Sequence, residues 1–203
     1  MSIDGRLGLK NGESKWVTNQ LSRSKVHSLR ASYDAIIIGG NTLRKDNPLL
    51  TTRGLKEKEP LRVVLTKSLN FPEKCNLWDS NVAKTIVAYD ETLGNKDLIK
   101  TIPSSVELVK LPLANPKELS KFLSEKGCNS VLWECGPKLA TAALKEGCIQ
   151  EIITFIAPKV IGGVAAMTPI EDLNLSKMNE VINLKKEDIR LFNDDICVKT
   201  LVC

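Results

Sequence analysis

Ala35-Ile36-Ile37-Ile38-Gly39-Gly40-Asn41-Thr42 is a short apolar run that ends in paired glycines and then in residues that open helices. A run of this length without polar alternation reads as a strand buried on both faces. The glycines read as a tight turn into a helix that starts at Asn41 or Thr42 and stops at Asp46-Asn47-Pro48. A strand that hands the chain directly to a helix is the building unit of an α/β sheet with parallel crossovers.

Working outward, the same alternation continues. Upstream, residues 2–9 are short and broken by Gly5 and Gly8, and Thr18 or Asn19 caps a helix running to Ala31. Downstream, Leu61 to Thr66, Thr85 to Tyr89 and Val106 to Leu111 read as strands, with residues 70–80 as a loop. Asn115 caps a helix with Pro116 at its first position, Glu118 completing an Asn-x-x-Glu box and Gly127 at its end. Ser130 to Trp133 is a strand, Glu134-Cys135-Gly136-Pro137 a turn, Lys138 to Glu146 a helix, and Glu151 to Ala157 another strand. Ile189 to Phe192 and Ile196 to Val202, split by Asn193-Asp194-Asp195, read as a β-hairpin. Residues 173–187 are polar and mixed, and read as a loop. The expected fold is α/β: a mostly parallel central sheet flanked by helices, with an antiparallel C-terminal hairpin, in a single domain over residues 1–203.

Composition narrows the function classes. The chain has 203 residues, 42% of them hydrophobic and 26% charged, which excludes a wholly disordered chain, a collagen or a coiled coil. No stretch approaches the roughly 20 apolar residues of a transmembrane helix, and the opening residues do not read as a secretory leader, so no membrane role and a cytoplasmic location are expected. The net charge is +5, but Lys and Arg are spread along the chain, and aromatics make up 4%. That argues against nucleic acid and for a small anionic ligand. The six cysteines form no Cys-x-x-Cys and the single histidine is His27, so neither structural zinc nor a Ser-His-Asp triad is expected.

Two turns are placed to carry chemistry. Exposed N–H groups after Gly39-Gly40 could cradle phosphate, although neither dinucleotide nor P-loop fingerprint is present, and a plain turn fits equally. Glu134 ends a buried strand just before a glycine turn and a helix start, which is where ligands sit in open α/β sheets. It could accept two hydrogen bonds from an amino-substituted ring, or simply cap the helix. Arg6, Arg30 and Arg53 lie near these turns in sequence and could pair with phosphate. Trp16, in a polar loop, is either a core anchor or a stacking surface for a flat ring.

Several segments occur in an order that is specific. They are Ser2-Ile3-Asp4-Gly5-Arg6, Gly12-Glu13-Ser14-Lys15-Trp16-Val17-Thr18, His27-x-Leu29-Arg30-Ala31 and Asp34-Ala35-Ile36. Then follow Gly39-x-x-Thr42-Leu43-x-x-Asp46-x-Pro48-x-Leu50-Thr51-x-Arg53, Trp133-Glu134-Cys135-Gly136-Pro137-x-Leu139 and Ala157-Pro158-x-x-x-Gly162. On these the chain resembles the reductase domain of riboflavin biosynthesis, often fused to a deaminase. The resemblance implies a dihydrofolate-reductase-like fold, a homodimer, and NADPH-dependent reduction of the ribosyl group of 5-amino-6-(5-phosphoribosylamino)uracil. It implies Ser14, Arg30, Leu50, Arg53 and Glu134 for the phosphorylated pyrimidine-ribose substrate. For the cofactor it implies Trp16, Thr42, Asp46, Gly136, Pro137, Lys138, Leu139, Ala140, Thr141 and Ala142. Glu134 and Asp46 are the candidate catalytic carboxylates; Asp46 is a proton-donor candidate by location, while the resemblance makes it a cofactor contact.

Three departures qualify the resemblance. Members usually have a strand before the Ser-x-Asp-Gly segment, so either the start is misplaced or the first strand is shortened. Thr66 stands where an aspartate often ends the strand. The zinc-deaminase signature is absent from these residues, which makes a separate deaminase a candidate partner. Two alternatives stay open: a reductase of the undeaminated 2,5-diamino pyrimidinone, and an inactive nucleotide-binding domain.

Overall fold

The structure, a computed structural model, describes residues 1–90 and 96–203. The chain divides into two compact units, residues 1–26 with 147–203, and residues 27–146.

In the unit of residues 27–146, five strands form one parallel sheet: β1 (Ala35–Gly39), β2 (Leu61–Thr66), β3 (Thr85–Asp90), β4 (Glu107–Leu111) and β5 (Val131–Trp133), in the order β4-β3-β2-β1-β5. The apolar run of β1 lies at Ala35, Ile36, Ile37 and Ile38 fully out of solvent, as its composition predicts for a strand covered on both faces. Alternation sorts the sheet's side chains into two cores. Ile36, Ile38, Val64, Val87 and Tyr89 pack on one face with Leu43 of helix α2 (Gly40–Asp46). Ala35, Ile37, Val63, Leu65 and Ala88 pack on the other with Leu119 and Leu123 of α4 (Pro116–Glu125). Asn115 caps α4 as expected, its side chain accepting the Glu118 N–H at 2.8 Å.

Helix α2 begins at Gly40, one residue before the sequence reading, because of what lies beside it. A Cβ on Gly40 would stand 2.5 Å from the Thr66 hydroxyl, so only glycine lets the first turn lie against the end of β2. Thr66 itself turns inward on its own loop, donating to the Ser68 carbonyl (2.6 Å) and accepting its N–H (3.0 Å). Residues 76–78, inside the expected loop, form a short 3₁₀ turn. Its carbonyl at Leu77, with those of Asp79 and Ala83, accepts from the buried guanidinium of Arg62 on β2 (3.0, 2.8 and 2.6 Å). A four-residue helix, α3 (Lys96–Ile99), was not anticipated.

In the other unit, β6 (Glu151–Ile156), β7 (Leu184–Phe192) and β8 (Asp195–Val202) form a separate antiparallel sheet, ordered β6-β8-β7. The hairpin is as expected, but it does not extend the parallel sheet: β6 pairs with β8 instead. Residues 184–187, read as loop, belong to β7. A register shift between Lys186 and Asp188 breaks the period of two that would have revealed them. Before the first helix, α1 (Gln20–Ala31), the strand pairing among the described residues is a single parallel bridge, Ser2 to Ala157, with the Met1 carbonyl accepting the Ala157 N–H at 2.8 Å. Asp4 closes this turn onto residues 161–162 by accepting their N–H groups at 3.1 and 2.7 Å. Asn19 caps α1, accepting the Ser22 N–H at 3.0 Å.

Candidate active site

The strand order places β1 and β5 side by side, and the segments that follow them pack on opposite faces of the sheet, Leu43 after β1 in one core and Leu139 after β5 against the other. Such a switch point opens a crevice at the carboxyl ends of the strands. Two helix starts meet there. Gly39 leads β1 into α2, and Gly136 leads β5 into α5 (Pro137–Lys145). A Cβ on Gly39 would touch Leu139 at 3.6 Å, and one on Gly136 would lie 3.9 Å from the Thr42 hydroxyl. Gly39 thus faces Leu139 of α5, and Gly136 faces Thr42 of α2.

Glu134 continues the ladder of β5, donating its N–H to Ile37 of β1 at 2.9 Å. Its carboxylate takes both arms of the Arg30 guanidinium, at 2.8 Å from Nε and 2.6 Å from the terminal nitrogen. Arg30 is delivered by the last turn of α1 and is 9% exposed. Its other terminal nitrogen donates to the Thr51 carbonyl at 3.0 Å, and His27 Nδ1 lies 3.0 Å from that same oxygen. Four sequence positions more than a hundred residues apart in the extreme therefore share one network. A fork-to-fork pair of this kind fixes the plane of the carboxylate and leaves it lone pairs for further donors.

The Thr51 carbonyl belongs to a turn bracketed by Leu50 and Arg53, both with positive φ (53° and 55°). Leu50 is buried, whereas Arg53 is exposed and makes no ion pair among the described residues. Asp46 sits exposed at the last position of α2, four residues on from Thr42 and so on the same helix face. The contacts of Glu134 are with Arg30 and do not include Asp46.

The start of α5 suits a phosphate-bearing ligand. No side chain caps it, its first turn has no acidic residue, and Lys138 there is exposed. Free N–H groups and the helix dipole favour an anion at such an end. Nothing stands within ordinary contact of a Gly136 Cβ except the Thr42 hydroxyl, and the indole N–H of Trp133 is buried without a partner. Along the helix, Thr141 is buried and Ala140 and Ala142 are half-buried, so the first turn is the part open to a ligand. Next to it, burial and the neighbouring Glu134 carboxylate push the Cys135 thiol up to about 12, which makes it inert as a nucleophile.

Ser14 and Trp16 belong to the other unit. Ser14 is exposed. Trp16 is 62% exposed, which excludes the core-anchor alternative; the Arg23 guanidinium stacks 4.2 Å from its ring centre, and its carbonyl accepts from Lys159 at 2.8 Å. Sequence reasoning missed His27 as a member of the network, and Glu59, whose carboxylate accepts from the N–H and hydroxyl of Thr52 next to it at 2.7 and 2.8 Å. His27 had a signal, its place one turn before Arg30 on a helix, whereas Glu59 lies in a charged loop that reads as solvated.

The RibD C-terminal domain family model matches residues 1–198. The chain belongs to the RibD C-terminal domain family. It is 44% identical to the riboflavin biosynthesis protein RibD of Synechocystis over 91% of its own length and 50% of the relative's. It is 40% identical to the chloroplastic riboflavin biosynthesis protein PYRR of Arabidopsis thaliana, over 91% of this chain and 31% of that one. Among solved structures it superposes on the Thermotoga maritima diaminohydroxyphosphoribosylaminopyrimidine deaminase/5-amino-6-(5-phosphoribosylamino)uracil reductase. The TM-score is 0.80 at 26% identity, covering all of this chain and 54% of that one. This RibD C-terminal domain therefore spans half or less of the length of these two relatives. Among its described residues no helix is long and apolar enough to cross a membrane, and no His, Cys, Asp and Glu cluster could hold a metal ion.

Proposed function

We propose that this RibD C-terminal domain is an NADPH-dependent reductase that converts the ribosyl group of 5-amino-6-(5-phosphoribosylamino)uracil to a ribityl chain. The observation that carries the reading is the Arg30–Glu134 pair, held at the switch point beside the open start of α5. Thr42, Asp46 and residues 136–142 would hold the dinucleotide, with its phosphates at the N–H groups of α5. The cofactor, when bound, supplies a hydride for C1′ of the opened sugar.

The protein's own part is orientation. Glu134, held in plane by Arg30, accepts hydrogen bonds from the pyrimidine and fixes which face of C1′ is presented. Arg53, exposed and with no ion pair among the described residues, takes the substrate phosphate. With its guanidinium engaged by Glu134 and Thr51, Arg30 serves the substrate chiefly through Glu134 and less as a second phosphate ligand. Leu50, buried below the turn, sets its height. Ser14 and Trp16 keep the assignments that the family resemblance implies. Asp46 stays the proton-donor candidate by location, in its protonated form, while the family resemblance makes it a cofactor contact.

Reading the whole of residues 1–203 as one functional domain is part of the proposal, as is a homodimer. On the three-stranded sheet, Ile189, Leu191 and Ile196 are 52%, 72% and 37% exposed on one face, where Leu191 pairs with Ile196 across the strands. An apolar sheet face of that kind is normally covered, and sedimentation of the purified chain should report twice the monomer mass. The six free cysteines agree with a reducing compartment. The cytosol is our proposal, against the chloroplast named for the Arabidopsis relative.

The deciding experiment is NADPH consumption by the purified chain, offered the deaminated and the undeaminated pyrimidine separately. Oxidation with only the deaminated compound supports the reading. Oxidation with only the undeaminated one changes the substrate, and none with either leaves an inactive nucleotide-binding domain.

A further inference from the structure

Leu50 and Arg53 hold backbone conformations that residues other than glycine keep only where their surroundings enforce them. The enforcement is visible between them. Thr52 is fully buried, and its N–H and its hydroxyl both donate to one carboxylate, that of Glu59, at 2.7 and 2.8 Å. On the other side the Thr51 carbonyl is held by Arg30. Of these holding groups, Glu59 is the one remote from the assigned ligand contacts: its carboxylate reaches Thr52, with the buried Arg62 guanidinium as a nearby counter-charge.

We propose that Glu59 is a positioning residue for phosphate recognition: it locks Thr52 so that the turn presents Arg53 to the substrate phosphate already in its binding conformation. This rests on the reading of Arg53 as the phosphate ligand. Without the carboxylate, two donors of a buried residue lose their acceptor and the turn relaxes. Arg53 then has to be ordered by the ligand itself, at a cost in affinity.

The test titrates inorganic phosphate into isotopically labelled wild-type, Arg53→Ala, Glu59→Ala and Glu59→Gln chains. It follows the amide resonances of Arg53 and Gly54, with a thermal melt to establish that each variant is folded. Saturable shifts in the wild type, their loss in Arg53→Ala and an apparent Kd about tenfold higher in Glu59→Ala are expected. Glu59→Gln keeps one good acceptor for Thr52 and should fall between, about threefold weaker. Equal phosphate affinity in wild type and Glu59→Ala overturns the proposal; if Glu59→Ala does not fold, unchanged affinity in Glu59→Gln does so. A wild type with no saturable shift at Arg53 overturns the phosphate reading of Arg53 itself, and the proposal with it. In the reductase assay, Glu59→Ala should raise KM for the phosphorylated substrate about tenfold while kcat stays within about twofold. KM for a dephosphorylated analogue should not move; an equal rise for both substrates would show a general structural role and overturn the proposal.

Discussion

Glu134→Gln leaves the shape of the β5 terminus intact but turns a charge-assisted fork into a neutral amide facing Arg30. The amide offers one oxygen where the carboxylate offers two, so both the hold on Arg30 and the acceptor face toward a pyrimidine are weakened. With the pair at 11% and 33% side-chain exposure, solvent screens part of it, and a loss of stability of about 1–2 kcal/mol is expected. Turnover should fall by about 100-fold or more, whereas NADPH affinity, measured by fluorescence titration, should hold within about twofold because the α5 start is untouched. Unchanged turnover would remove Glu134 from the site. Among the described residues Arg53 makes no side-chain hydrogen bond or ion pair, so Arg53→Ala leaves the contacts of the fold in place. Its expected effect is a KM for phosphorylated substrate raised about tenfold or more, with the dephosphorylated analogue unaffected. An equal effect on both would contradict a phosphate role.

At the level of elements, the meeting of α2 with the end of β2 depends on the missing side chain of Gly40. Gly40→Ala forces a Cβ to within 2.5 Å of the Thr66 hydroxyl, and should lower stability by about 1–3 kcal/mol in urea unfolding, despite alanine's better helix propensity. Thr66→Ala in the same chain removes the clashing oxygen and should recover a large part of that loss. A double variant no more stable than Gly40→Ala would show that the clash is relieved elsewhere. This contact was not legible in the sequence. Gly39-Gly40 announced a turn, but which glycine faced a neighbour, and which neighbour, was settled by the register that sets β1 beside β2. The helix caps were legible, because Asn19 and Asn115 act on N–H groups within the same turn of chain.

Across the molecule, contacts between distant parts of the chain have their own signature in pH. Hydrogen bonds from the Ser2 hydroxyl and the Gly162 and Ile161 N–H groups hold the Asp4 carboxyl down to about 2. Its folded-state value lies below the unfolded one, so the stabilisation is present above about pH 4. It is lost as pH falls toward 2, when the carboxylate protonates and releases residues 161–162. Asp4→Asn should therefore be less stable than the wild type at neutral pH, and the two stability curves should converge as pH drops toward 2. Parallel curves over that range would contradict the assignment.

The sequence by itself determined the five parallel strands, the helices α1, α2, α4 and α5, and the two turns at which ligands could sit, but not α3 or the first residues of β7. Each of those rests on local patterning, on caps and glycines, and on the resemblance carried by residues 12–18, 39–53 and 133–139. It did not reveal that β6 leaves the parallel sheet for an antiparallel one, because an apolar strand reads the same whichever neighbour it joins. Nor did it reveal that Arg30, expected to grip phosphate, grips Glu134, or that Glu59 takes both donors of Thr52. Pairings of charges across 104 residues, and whether a loop carboxylate stays solvated or accepts from a buried threonine, depend on which backbones the folded chain brings together. Only the tertiary structure decides that.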